Sequence, residues 1–302
     1  MKAINANKTK ILNDPIYGFT NISDDLIFNL IEHPYFQRLR RISQLGLTYL
    51  VYPGAYHTRF HHALGAMHLM QKAISTLKSK GHEITSEEEQ AVLIAILLHD
   101  VGHGPFSHAL EHSIVSGINH ENISMLIMDK LNEEFKGKLS LAIKIFRNEY
   151  SKAFLHQLIS SQLDVDRLDY LKRDSFYSGV SEGIINADRI INMLNVSNGH
   201  LVVDAKAIYS IEKFIIARRL MYWQVYLHKT VLSAEFSLVE ALKRAKSLVK
   251  NGVDIFSTSA LREFLQNNHS LENFNTNPKL LGLFCQLDDI DIMSSIKEWT
   301  QH

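Results

Sequence analysis

His99-Asp100-Val101-Gly102-His103-Gly104-Pro105-Phe106-Ser107-His108 follows the longest apolar run of the chain, Ala91 to Leu98. An imidazole and a carboxylate stand side by side where a buried helix is expected to stop. That placement gives rigid support on one side and an open mouth on the other. Gly102 and Gly104 let the backbone turn close to a ligand, as bulkier residues could not, and His103 and His108 present two more imidazoles to the same mouth. A C-cap that favours histidine only through the helix dipole does not need four titratable groups beside a glycine-bounded turn.

A metal needs more than two ligands, and a His/Asp set suits a borderline or hard divalent ion such as Fe, Mn, Mg, Zn or Ni. Upstream the candidates are His57, His61 and His62; downstream they are the carboxylates of Asp164-Val165-Asp166-Arg167-Leu168-Asp169. Spacing alone does not choose among these carboxylates, or between His61 and His62.

The totals agree with such a site and exclude others. The chain has 302 residues, enough for one large domain or a domain with an appendage. Lys+Arg and Asp+Glu balance at 32 each, so no global charge points to nucleic acid or an acidic membrane. A single cysteine, Cys285, rules out an intrachain disulfide and a Cys-based zinc site. Met1 to Lys10 lacks the apolar core of a secretory signal, and Ala91 to Leu98 is too short to span a bilayer. A soluble cytoplasmic protein is therefore expected. Of the 16 histidines, ten lie between His57 and His120, a clustering that favours chemistry over architecture.

Apolar periodicity predicts a mostly α-helical chain. Helices are expected over Ser23 to Ile42, with Ser23-Asp24-Asp25 as N-cap, over Thr58 to Leu77, and from Ser86 to about His99. Others follow over His120 to Glu134, Ser140 to Phe146, Ser151 to Ser161, and Ala205 to about Lys250. One interruption, near residues 195–204, reads as a β-hairpin around Asn198-Gly199. Arg38, Arg40 and Arg41 read as a solvated helix face. Asp164 and Asp169 read as helix caps or as partners of Arg167 and Arg173. The tail beyond Gly252 has weak periodicity and no clear stop, as a truncated chain would show.

The ordered set His62, His99-Asp100, Asp166 resembles the H…HD…D signature of the HD phosphohydrolases. Further blocks resemble their deoxynucleoside triphosphate triphosphohydrolase branch: Arg38 to Ile42 with Gln44-Leu45-Gly46, Tyr52 to Ala55, Thr58 to His62, Gly102 to His108, His120-Glu121, Asp164 to Asp174, and Arg218 with Tyr226 to Lys229. The likeness covers roughly Asp14 to Lys229. It implies an HD-domain helical bundle over residues 1–240; the stretch over 241–302, which resembles nothing in that family, is expected to be a C-terminal helical extension. The likeness makes His62, His99, Asp100 and Asp166 the ligands of one divalent metal ion, with His103 and His120 as catalytic histidines. Glu111 falls where the vertebrate enzyme has an aspartate that orients a histidine. Arg59, His108, Arg218 and Lys229 become triphosphate contacts. Gln44, Tyr170, Asp174 and Tyr226 surround the deoxyribose, where a close fit excludes a 2′-hydroxyl.

The implied activity is cleavage of a deoxynucleoside triphosphate to deoxynucleoside and triphosphate, by a homo-oligomer. Leu227 replaces the vertebrate enzyme's base-contacting glutamine, and nothing resembles that enzyme's N-terminal interaction domain. Competing readings are an HD hydrolase of monophosphates or cyclic nucleotides, and a nucleotide sensor without turnover. The second has no use for His103 and His120 together. A single-stranded nucleic acid binder would need an aromatic-basic stripe that the chain lacks.

Overall fold

The helix that ends at the His-Asp pair is sealed on every side. A computed structural model describes residues 10–106 and 118–301. In it Ser86–Leu98 starts from a capping box in which the Thr85 side chain and Glu88 exchange hydrogen bonds with each other's backbone. Ala91 through Leu98 are all buried. A helix apolar all round must lie inside the protein. Four others enclose it: Asp25–Glu32 (α1), Arg59–Ser79 (α3), Ser140–Phe146 (α6) and Ala153–Ile159 (α7). With Ser86–Leu98 as α4 and a short helix at Pro34–Gln37 (α2), His120–Glu134 is α5 and Val165–Ser178 is α8.

Helices α3 and α8 carry the ligand candidates and approach closely. A Cβ added at Gly65 would lie 2.0 Å from a guanidinium nitrogen of Arg173 and 2.1 Å from a carboxylate oxygen of Asp169. Only glycine permits this crossing. Asp164 caps α8 by accepting from the Arg167 amide at 2.8 Å, and Gly179, at φ 74°, ends it.

Two antiparallel hairpins decorate the bundle. The expected one pairs Leu194–Ser197 (β3) with His200–Val203 (β4), and Asn198 and Gly199 both take positive φ in its turn. The other, Lys10–Asp14 (β1) with Gly18–Ile22 (β2), was not expected. Asp14-Pro15-Ile16-Tyr17-Gly18 carries its turn chemistry, with the Asp14 carboxylate accepting from the amides of Ile16 and Tyr17.

Three expectations need correction. Ser23 to Ile42 is not one helix: α1 stops at His33, which is extended (ψ 139°) ahead of Pro34, and a 3₁₀ turn at Arg38–Arg41 follows α2. Ala205 to Lys250 is likewise broken, into Ile208–Met221 (α10, after the short α9 at Ala187–Asn192), a π-helical turn at Tyr222–Tyr226, and Lys229–Lys250 (α11). Arg38 is buried rather than solvated. Its guanidinium donates to the carbonyls of Val101 (3.0 Å), His103 (2.9 Å) and Leu287 (3.4 Å).

The tail holds four helices, Ser259–Gln266 (α12), Leu271–Thr276 (α13), Pro278–Phe284 (α14) and Asp289–Glu298 (α15). Position 240 lies inside α11. Asp289 ties the tail to the loops around the His-Asp pair, accepting from the Ser43 amide at 2.8 Å and the Phe106 amide at 2.7 Å. Among the described residues, no helix is long and apolar enough to cross a membrane.

Candidate metal centre and adjoining cavity

His62 lies one turn into α3 and is fully buried. Its Nδ1 donates to Asp169 Oδ2 at 2.8 Å. This leaves the Nε2 lone pair facing Asp166 Oδ1, 3.0 Å away. His99 behaves alike: Nδ1 donates to the Ile96 carbonyl at 2.6 Å, and Nε2 lies 3.5 Å from Asp166 Oδ1 and 3.4 Å from Asp100 Oδ1. Asp100 Oδ2 stands 3.8 Å from His62 Nε2. So His62, His99, Asp100 and Asp166 converge from α3, the end of α4 and the start of α8.

Both Nε2 atoms are buried without a hydrogen-bond partner among the described residues. The two lone pairs and an Asp166 oxygen lie within 4.8 Å of one another, with Asp100 beside them, and together they form an anionic nest that a divalent cation satisfies. The residues therefore fit the metal. For the side chains by themselves, burial opposes charge on His62, but Asp166 and Asp169 outweigh it and push its pKa up to about 10. Burial also works against the Asp166 carboxylate, yet contacts with His62 and His99 hold it well below the usual range.

The support behind these groups is built in depth. Asp169 receives two bonds from Arg173, both at 2.9 Å, and Arg173 reaches on to Asp14 at 2.8 Å. The unexpected β1–β2 hairpin thus anchors His62 through a chain of buried charges. His61, which spacing could not separate from His62, instead caps α3, its Nδ1 accepting from the Thr58 amide at 3.2 Å.

The His-Asp loop meets α5 just as closely. A Cβ on Gly102 would lie 2.2 Å from the Ser124 amide nitrogen. With that space clear, Ser124 Oγ accepts from Gly102 N at 2.9 Å and donates to the His99 carbonyl at 2.8 Å. This contact brings His120, first residue of α5, onto His103. Their rings stack at 3.8 Å and 15°. His103 Nε2 is 3.4 Å from Asp100 Oδ1. Burial, reinforced by the charge of Arg59, holds its pKa well below the ordinary histidine value. Arg59 is itself buried and donates to Asp100 Oδ2.

A cavity of about 400 Å³ opens beside this cluster. Arg59, Asp100, Asp166, His103 and His120 line it, as do Gln44, Tyr170, Asp174 and Tyr226. The Tyr226 hydroxyl donates to Asp174 Oδ2 at 2.8 Å, and burial holds that phenol well above its ordinary pKa, so it stays a donor. Arg218 lies beside Tyr222, 5.8 Å from its ring, and Lys229 is exposed; neither is among the residues lining the cavity. His108 and Glu111 lie outside the described residues. Arg38, Asp14, Asp289 and the cavity-lining Glu235 were not expected to support or line the site. A turn signature marks Asp14; the other three carry no local sign.

The HD domain model matches residues 59–174, and that of the HD associated region matches 185–264. A phosphohydrolase of Bacteroides thetaiotaomicron, known from a crystal structure, is 56% identical with a TM-score of 0.95, over 98% of this chain and 73% of that one. The uncharacterized protein YwfO of Bacillus subtilis is 37% identical over 82% of this chain and 58% of its own length. A Dictyostelium discoideum protein named deoxynucleoside triphosphate triphosphohydrolase SAMHD1 homolog is 33% identical over 80% of this chain and 50% of its own. The chain thus spans between half and three fifths of these two curated relatives.

Proposed function

This chain belongs to the HD phosphohydrolase superfamily, and on that footing we propose that it is a metal-dependent hydrolase of deoxynucleoside triphosphates, releasing the deoxynucleoside and intact triphosphate. One observation carries the reading: a single cavity runs from Asp100 and Asp166, past the stacked His103 and His120, to the Tyr170, Asp174 and Tyr226 wall. Phosphate chemistry and sugar recognition need that adjacency. The name of the Dictyostelium relative supports the substrate class.

In this reading His62, His99, Asp100 and Asp166 would hold one divalent ion, which would supply positive charge against the repulsion of an attacking oxygen and acidify a water. Arg59 presents a planar cation to the phosphate oxygens. His103, kept neutral, accepts a proton from the attacking water, and His120 returns one to the departing 5′-oxygen. A P–O bond to water forms at the α-phosphorus and the bond to the 5′-oxygen breaks; the 5′-oxygen keeps the proton from His120, and exchange with solvent removes the proton from His103 and restores the one on His120. Tyr226, fixed by Asp174, forms a stiff wall against which an extra 2′-hydroxyl does not fit.

A second reading, hydrolysis of a nucleoside monophosphate or cyclic nucleotide, is favoured by one feature. Among the described residues lining the cavity, Arg59 is the single permanent cation, and a lone phosphate needs fewer cations than three. Product analysis separates the two. The protein, loaded with Mn²⁺ or Mg²⁺, is incubated with each deoxynucleoside triphosphate, a ribonucleoside triphosphate, a monophosphate and a cyclic nucleotide. Nucleoside plus triphosphate, absent with Asp166→Ala, supports the proposal; cleavage confined to monophosphates or cyclic nucleotides overturns it.

A further inference from the structure

Glu235 sits in the second turn of α11 and lines the same cavity. It is half-buried, and among the described residues it has neither a hydrogen bond nor an ion pair. Its helical neighbours are Val231, Leu232, Leu238 and Val239, so no cation one turn away can pair with it. Nor is this the solvated face of a charged helix. Burial alone pushes its carboxyl pKa upward.

Across from it stands Gly46, at φ 51°, where a Cβ would come within 3.1 Å of Glu235 Oε1. A side chain at position 46 would press on this carboxylate oxygen, and glycine leaves it room in the cavity wall. Gly46 lies two residues beyond Gln44, which also lines the cavity and which the family resemblance sets beside the sugar.

A bare carboxylate in a cavity that accepts an anionic substrate is costly unless it meets donors. The phosphate end has none. The donors of a nucleotide are its sugar hydroxyl and the N–H groups of its base, and Tyr170, Asp174 and Tyr226 already attend the sugar. We propose that Glu235 reads the base, and that its two oxygens select a base edge with two adjacent donors, the imino and amino N–H groups of guanine. Carboxylates accept well from such groups. Adenine and cytosine offer one amino group beside an acceptor. Thymine flanks its single N–H with two carbonyls that the carboxylate repels. This inference rests on the deoxynucleoside triphosphate reading and deepens it.

The test compares kcat/KM for dGTP, dITP, dATP, dCTP and dTTP, using the full chain, Glu235→Gln and Glu235→Ala. dITP keeps the imino N–H and lacks the amino group. The unmutated protein is expected to favour dGTP over dITP and dTTP by about tenfold or more, the usual effect of losing one hydrogen bond to a charged group. Both variants should flatten that ratio, with metal content and circular dichroism unchanged. A flat profile in the unmutated protein, or a preference that survives both variants, overturns the assignment while leaving the reaction standing. Loss of all five activities in equal proportion also overturns it, since a base reader acts on ratios. If the unmutated protein cleaves none of the five, the reaction and the assignment fall together.

Discussion

His57 Nε2 donates to Asp174 Oδ1 at 2.7 Å, with both side chains buried, while the Tyr226 hydroxyl occupies the other carboxylate oxygen. His57 also stacks on Tyr177, the ring centres 4.5 Å apart at 14°. Asp174 is thus held from two sides, and through it the orientation of Tyr226 in the cavity. Removing His57 leaves a buried carboxylate one donor short. We expect His57→Ala to lower stability by about 1–3 kcal/mol and to raise KM more than it lowers kcat. Its metal content should match the unmutated protein. Urea unfolding, steady-state kinetics and metal analysis together check this.

Asp169 fixes the His62 tautomer and is itself fixed by Arg173. Such supports behind metal ligands typically contribute 10–100-fold to metal affinity. Asp169→Asn should therefore weaken divalent-ion binding by roughly that factor, measured by competition with a chelating dye. Undiminished affinity would show that the chain from Asp14 to His62 serves folding alone.

Arg38 donates to three carbonyls that belong to the His-Asp loop and the tail. Truncation to Ala orphans these buried acceptors together. A loss of about 3 kcal/mol or more is expected in urea unfolding. Arg38→Lys should recover little of it, since one ammonium cannot span a planar fork.

Glu88 gives a pH-dependent signature away from the candidate metal ligands. Burial would raise its pKa, but bonds from Lys152 at 2.8 Å and Tyr150 at 2.7 Å outweigh that and lower it. A carboxyl whose pKa is depressed on folding contributes stability above its unfolded value, near 4.3, and loses it as pH falls through the folded value. Glu88→Gln should thus lower the urea midpoint clearly at pH 7. The gap should narrow as the pH drops below about 4.

Much of this was readable in advance, and the rest was not, for physical reasons. The helix start at Ser86, the apolar run to Leu98 and the Asn198-Gly199 turn are local signals, and their elements form as expected. His61 and His62 differ only in which way each faces on α3, so neighbouring residues could not separate them. Arg38 looks solvated because its sequence neighbours are also arginines; the carbonyls that bury it come from residues 101, 103 and 287. Asp289 and Glu235 owe their positions to long-range packing, which no local pattern records. The break at Pro34 was legible and is a simple consequence of the restriction on His33.

The proposed reaction depends on one metal centre, so the most direct measurement is the divalent metal bound per chain after loading and desalting. The unmutated protein and the variants His62→Ala, Asp166→Ala and His120→Ala would be compared. One ion per chain is expected in the unmutated protein and in His120→Ala, with loss in the other two. Metal retained in Asp166→Ala and His62→Ala, or none bound by the unmutated protein, would contradict the assignment of the centre.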